Sequence, residues 1–112
     1  MNTRKSLKFS TTTQRENGVI TVSLRGELDL SAAPDFRKVM DPLVGIDDAD
    51  LVLNLKELKY IDSTGIGIFL SILKARHGMN SKFYVQEVPD HIRKLFEMTG
   101  IAKFFAEQEN SQ

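Results

Sequence analysis

The sequence predicts a single α/β domain built on a mixed, mostly parallel sheet that opens with an N-terminal β-hairpin. Three observations carry this. Two β-rich runs flank Glu16-Asn17-Gly18, and Asn-Gly between such runs signals a hairpin because both residues tolerate positive φ. A nearly continuous apolar run at Leu51 to Leu55 is followed by a helical pattern from about Thr64, then by a further strand pattern at Phe83, Val85 and Val88. Strand, helix, strand in that order implies a right-handed crossover between parallel strands, with the functional crevice beyond the strands' carboxyl ends.

The elements follow in order. Phe9 to Thr13 pairs with Ile20 to Leu28, where Ile20, Val22 and Leu24 alternate with Thr21, Ser23 and Arg25 to give one buried and one wetter face; Gly26 marks the far end. Phe36, Val39, Met40, Leu43 and Val44 stand at helical spacing, with Ser31 as N-cap and Pro34 in the first turn. Pro42 cannot donate to the carbonyl four residues back, so this helix is expected to end or kink near Met40 and Asp41. Leu51 to Leu55 fits a central strand buried on both faces. In the next helix Ile66, Phe69, Leu70 and Leu73 form a core face, and His77-Gly78 supplies a cation and a stop. Pro89 opens a last clear helix carrying Ile92, Leu95 and Phe96, which Gly100-Ile101 closes. An ordered core of about 7–105 and a frayed polar tail over 106–112 complete the expectation.

Length and composition bound the function. The 112 residues suit one domain burying roughly two thirds of its unfolded surface. Fifteen Lys plus Arg balance fifteen Asp plus Glu, so there is no electrostatic footprint for nucleic acid or an anionic membrane, and protein partners are expected. Cysteine is absent, which removes disulfides, thiolate metal sites and cysteine nucleophiles together. Met1 to Ser10 has basic residues but no apolar stretch after them, so no signal peptide is read there, and no segment approaches the roughly 20 apolar residues of a membrane span. A cytoplasmic protein, monomeric when free and without metal or cofactor, is the expectation.

Asp62 and Ser63 fall at the loop-to-helix junction, where free backbone N–H groups and the positive helix end would favour an anion. Ser63 either caps the helix or carries a phosphoryl group beside it. Gly65 and Gly67 in the first turn each cost roughly 0.5 to 1 kcal/mol relative to alanine, which calls for a reason. Openness to a docking protein is preferred for both, with close packing of helix on sheet as the alternative. Thr64, Ile68, Ser71, Ile72 and Ala75 form a second stripe, read as an exposed docking surface beside Ser63; a core stripe covered by another element is the competing reading. Asp29 ends a strand beside a helix start, which puts it either on the same rim or in a capping role.

Catalytic readings are weaker. Ile61 occupies the first-glycine position of a Gly-x-Ser-x-Gly elbow, and His77 stands fourteen residues along the same helix, roughly 21 Å from Ser63. His91 is unconstrained but is a lone histidine near a helix start. Thr64-Gly-Ile-Gly67 lacks the spacing of a P-loop, and two histidines without paired spacing give no metal signature. Asp47, Asp48 and Asp50 read as a solvated turn.

At Tyr60-Ile-Asp-Ser-Thr-Gly-Ile-Gly67 the chain resembles the anti-sigma factor antagonist family, the bacterial STAS-domain proteins, whose phosphorylation site lies in an Asp-Ser-Thr/Ser-Gly-Leu-Gly motif. Gly26-Glu-Leu-Asp-Leu30 with Ala33-Pro34, Leu51-Val-Leu-Asn-Leu55 and Arg93-Lys-Leu-Phe-Glu-Met-Thr-Gly-Ile101 extend the resemblance over most of the chain. It implies a STAS fold with helices mainly on one side of the sheet. It also implies that Ser63 is the phosphorylated serine, with Thr64 as a secondary acceptor, and that Asp29 and Asp62 belong to the surface around it. By the same resemblance the unphosphorylated protein binds an anti-sigma factor that is also a serine kinase of the histidine-kinase-like ATPase type, and so frees a sigma factor. A PP2C-type phosphatase restores the binding form, in a circuit of general-stress or sporulation type. Ile66 replaces the usual leucine. Many members continue into a further helix, whereas this chain stops soon after Phe105. The alternatives are a STAS docking subunit of a transporter or signalling complex without a phosphoryl switch, and a nucleotide-binding or hydrolytic enzyme.

Overall fold

A computed structural model describes residues 8–109 of the chain. Eight elements follow one another: β1 (Ser10–Glu16), β2 (Val19–Leu28), α1 (Ala33–Val44), β3 (Asp50–Ile61), α2 (Ser63–Gly78), β4 (Phe83–Gln86), α3 (Asp90–Thr99) and α4 (Ala102–Glu109). The four strands lie in sequence order in one sheet, β1 antiparallel to β2 and the remaining pairs parallel. The hairpin turn is Asn17-Gly18, with φ of 53° and 77°, as the sequence predicts.

One face of the sheet makes the core. Ile20, Val22 and Leu24 of β2, Leu51, Leu53 and Leu55 of β3, and Phe83 and Val85 of β4 join buried residues of all four helices in a single cluster. Val52 is buried but stands outside that cluster, between half-buried Thr21 and Tyr84. The helices therefore cover one face, while on the other face of β3 Val52 is buried and Asn54 half-buried, as expected of a central strand. β3 also runs six residues past the predicted Leu55. Its pairing with β2 slips twice, between Ser23 and Arg25 and between Gly26 and Glu27, so the inward residues change spacing from Leu53 and Leu55 to Leu58 and Ile61. Bulges break the period of two on which a strand pattern depends.

Two further expectations are corrected. Ser31 does not cap α1: Ala32 holds the N-cap position without a side-chain bond, and the Ser31 hydroxyl donates instead to Asp29. Pro42 does not end α1, which continues to Val44. So close to the helix end, one missing donor is tolerated. Past Gly100 the chain forms α4, which runs to Glu109; residue 7 and residues 110–112 of the expected core and tail lie outside the described part. Phe105 anchors α4 by packing at 5.3 Å from Phe96 and 6.4 Å from Phe69. Phe69 also meets Phe36 at 5.9 Å, and Phe36 meets Phe9 at 5.8 Å, so edge-on rings join α1, α2, α3 and α4.

Arg76, which the sequence pattern does not single out, is the one buried charged residue among those described, at 1% exposure. Its guanidinium donates to the carbonyls of Val44, Ile46, Ala49 and Lys82. Four carbonyl oxygens, one from the end of α1, two from the α1–β3 connection and one from the α2–β4 connection, thus converge on one cation. This clamp closes the amino-terminal end of the parallel strands, opposite the end where Ser63 stands.

Candidate functional site

The carboxyl ends of β2 and β3 meet at one rim. Leu28 pairs with Ile61, and the Asp62 amide donates to the Leu28 carbonyl at 3.2 Å. Asp29 and Asp62 are therefore neighbours across the rim, although they are far apart in sequence. Asp62 is extended and caps α2: its Oδ1 accepts from the amides of Thr64 at 2.9 Å and Gly65 at 3.2 Å. Asp62, not Ser63, is the cap. Ser63 is the first helical residue, exposed, and among the described residues its hydroxyl has no hydrogen-bond partner.

This cap alters the anion reading of the junction. Of the first four amides, that of Asp62 goes to β2 and those of Thr64 and Gly65 go to the Asp62 carboxylate. Only the Ser63 amide stays unpaired among the described residues. A phosphoryl group on Ser63 finds one backbone donor beside an existing carboxylate, a poor anion cradle.

Asp29 turns back on its own loop. Its carboxylate accepts from the Ser31 hydroxyl at 2.8 Å and the Ala32 amide at 3.1 Å. The Ser31 hydroxyl is the main cause holding Asp29 below the ordinary carboxylate range; the Ala32 amide acts in the same direction, and desolvation opposes both. The group is ionised at neutral pH. Leu30, next to it, is 71% exposed.

The structure separates the two glycines. A Cβ on Gly65 would stand 2.7 Å from Ile61 Cγ1 and 2.9 Å from Leu28 Cγ, so its missing side chain lets α2 sit on the sheet. The close-packing reading wins there. A Cβ on exposed Gly67 meets nothing within 4 Å, and packing gives no reason for that glycine. The docking stripe is corrected as well: Ile68 and Ile72 are 2% and 4% exposed and belong to the core. They line the seam where α2 meets α1, beside Met40 and Val44. Thr64 is half-buried, while Ser71 and Ala75 are exposed.

On its other side Ser63 borders an open groove of about 410 Å³ between the start of α2 and α3. Tyr60, Ile61, Asp62 and Ile66 line it from the β3–α2 side, and His91, Ile92, Lys94, Leu95, Met98 and Thr99 from α3. His91 Nε2 donates to the Lys59 carbonyl at 2.8 Å, which ties α3 to β3. His77 sits in the last turn of α2, away from Ser63. Of the α3 residues in this groove, the sequence singles out Ile92 and Leu95 only as a core face and His91 only as a lone histidine, and it assigns Lys94, Met98 and Thr99 no site role. Met98 carried a usable signal, being a large apolar residue off the Ile92–Phe96 face. Among the described residues no helix is long and apolar enough to cross a membrane.

The STAS domain family model matches residues 10–111. An anti-sigma-B factor antagonist of Staphylococcus aureus is 34% identical over 107 residues, spanning 96% of this chain and 97% of that one. An anti-sigma factor antagonist from Mycobacterium paratuberculosis superposes with a TM-score of 0.79 at 26% identity, over 88% of this chain and 83% of that one. The Bacillus cell-fate determinant SpoIIAA, in its phosphorylated form, shares the fold with a TM-score of 0.67 at 19% identity, over 84% of this chain and 86% of that one. The capped Asp62-Ser63 junction at the rim of a hairpin-led mixed sheet stands within a match that runs almost the length of the chain, and the protein belongs to the STAS-domain family.

Proposed function

We propose that this protein is an anti-sigma factor antagonist whose binding is switched off by phosphorylation of Ser63. The observation that carries the reading is an exposed, unpartnered serine hydroxyl at the first position of a helix that its neighbour Asp62 already caps. Ser63 is thereby free of a structural task, and it stands where Asp29, Asp62 and exposed Leu30 and Tyr60 make a rim accessible to another protein. The name of the Staphylococcus aureus relative supports the assignment. The partner is an anti-sigma factor that also acts as a serine kinase with a histidine-kinase-like ATPase fold, and a PP2C-type phosphatase resets the switch. Binding by the unphosphorylated form releases a sigma factor and so activates transcription. The protein is the substrate of this chemistry and not its catalyst.

The energetics favour local exclusion. A phosphoryl group adds about −1.5 to −2 charges. Its attraction to the helix end is worth about 0.3–1 kcal/mol, and with only one free amide it gains little else. Like charge brought into an interface costs several kcal/mol, so repulsion from the partner outweighs local stabilisation. Phosphopeptide mapping of protein isolated from its own cells tests the reading. A phosphoryl group on Ser63 that is lost in Ser63→Ala, without transfer to Thr64, is the expected result. No modification of either residue under any growth condition removes the switch and turns the reading to a constitutive docking subunit.

A further inference from the structure

We propose that the groove between the start of α2 and α3 is the second half of the docking face, and that it receives an apolar side chain of the anti-sigma partner flanked by a carboxylate. This rests on the functional reading above and extends it to a surface outside the phosphorylation motif. Continuity is the first argument, because Ser63 itself is part of the groove lining. A partner that reaches the Ser63 hydroxyl must lie over or beside the opening. The second is exposed apolar surface. Met98 is 81% exposed and Tyr60 48%, and they flank a floor of Ile61, Ile66 and Leu95. Large apolar side chains standing in water at the lip of an apolar groove mark a contact surface.

Charge is the third argument, and it gives the occupant its chemistry. Lys94 lines the groove and forms no ion pair among the described residues. Asp62, the carboxylate in the same lining, is held by two α2 amides. Across the rim, the hollow around Asp29 is walled by Glu27, Asp35 and Lys8, so that its carboxylates outnumber its one cation. The surface thus changes in charge balance across Ser63, net acidic toward the β2–α1 turn, and with Lys94 and apolar lips toward α3. A partner is oriented by this asymmetry, placing an acidic and apolar segment on α3. The α1–α2 seam offers no such continuity, since Ser63 is absent from its lining.

Titration of the unphosphorylated full-length protein against the purified anti-sigma kinase tests the proposal, with wild type, Met98→Asp, Met98→Leu, Lys94→Glu and Ser63→Asp compared. Met98→Asp is expected to raise Kd about tenfold or more, with Met98→Leu close to wild type. Lys94→Glu raises Kd by a margin that shrinks at high salt. Both raise KM for phosphorylation of Ser63, and thermal melting confirms that both remain folded. If Met98→Asp and Lys94→Glu bind like wild type while Ser63→Asp does not bind, the groove is outside the interface and the proposal is overturned, although the switch stands. If wild type fails to bind the kinase, the switch and the groove assignment fall together. A wild-type dimer that Met98→Asp converts to a monomer gives the groove to a second copy of the chain and also overturns the proposal.

Discussion

Alanine at Gly65 and alanine at Gly67 are expected to change stability with opposite sign, although the two positions are two residues apart in one helix. At Gly65 the new Cβ lands 2.7 Å from Ile61 Cγ1 and 2.9 Å from Leu28 Cγ, well inside the roughly 3.5–4.0 Å of a relaxed carbon contact. Neither atom is the far end of a flexible chain. Leu28 is 0% exposed, so relief requires lifting the start of α2 or displacing the end of β2. Overpacking of this kind costs about 1–3 kcal/mol, offset by a helix-propensity gain of about 0.5–1 kcal/mol. At mid-range the net is a loss of about 1 kcal/mol, or a fall in Tm of about 4–5 °C for a domain of this size. At Gly67 the same methyl meets nothing, and the propensity term stands alone as a gain of about 0.5–1 kcal/mol. Urea unfolding followed by circular dichroism measures both. A Gly65→Ala protein as stable as wild type, or a destabilised Gly67→Ala, would refute the packing argument. A stable Gly67→Ala that loses partner binding would give that glycine the docking role its packing does not explain.

Other substitutions probe other links. Ile68→Glu places an unpaired carboxylate in the α1–α2 seam and is expected to unfold the domain or lower Tm by well over 10 °C; a folded, stable variant would show that the seam opens to solvent. Arg76→Met removes the donors of four backbone carbonyls and should cost about 3–5 kcal/mol, with hydrogen exchange rising first around Val44 to Ala49 and Lys82; unchanged exchange there would end the clamp argument. Asp62→Ala should cost about 1 kcal/mol through the lost cap, whereas Ser63→Ala should stay within about 0.5 kcal/mol of wild type in the same denaturation assay. Equal losses at the two positions would return the capping role to Ser63.

Backbone and periodicity rules made much of this protein legible from its sequence. Asn17-Gly18 closes the hairpin because both adopt positive φ, a property local to those residues. The parallel crossover follows from element order, and the rim position of Ser63 follows from a strand ending just before a helix begins. Gly100 ends α3 in the left-handed conformation its sequence context predicts. The motif around Ser63 resembles a known family for the same reason, since its spacing is contained in one contiguous stretch.

What the sequence left open depends on which distant segment covers a given face. α2 is apolar around much of its circumference, so Ile68 and Ile72 could be a docking stripe or core, and only the approach of α1 decides for core. The role of Gly65 is set by two side chains from two strands, Leu28 and Ile61. Arg76 looks like a helix-end cation until four carbonyls from the end of α1 and two connections converge on it. The groove beside Ser63 exists because α3 packs on the core through Ile92 and Phe96, with His91 also bonded to the Lys59 carbonyl 32 residues away. Local conformation is written in neighbouring residues, whereas burial and shared surfaces are properties of pairs of segments, and the fold alone brings those segments together.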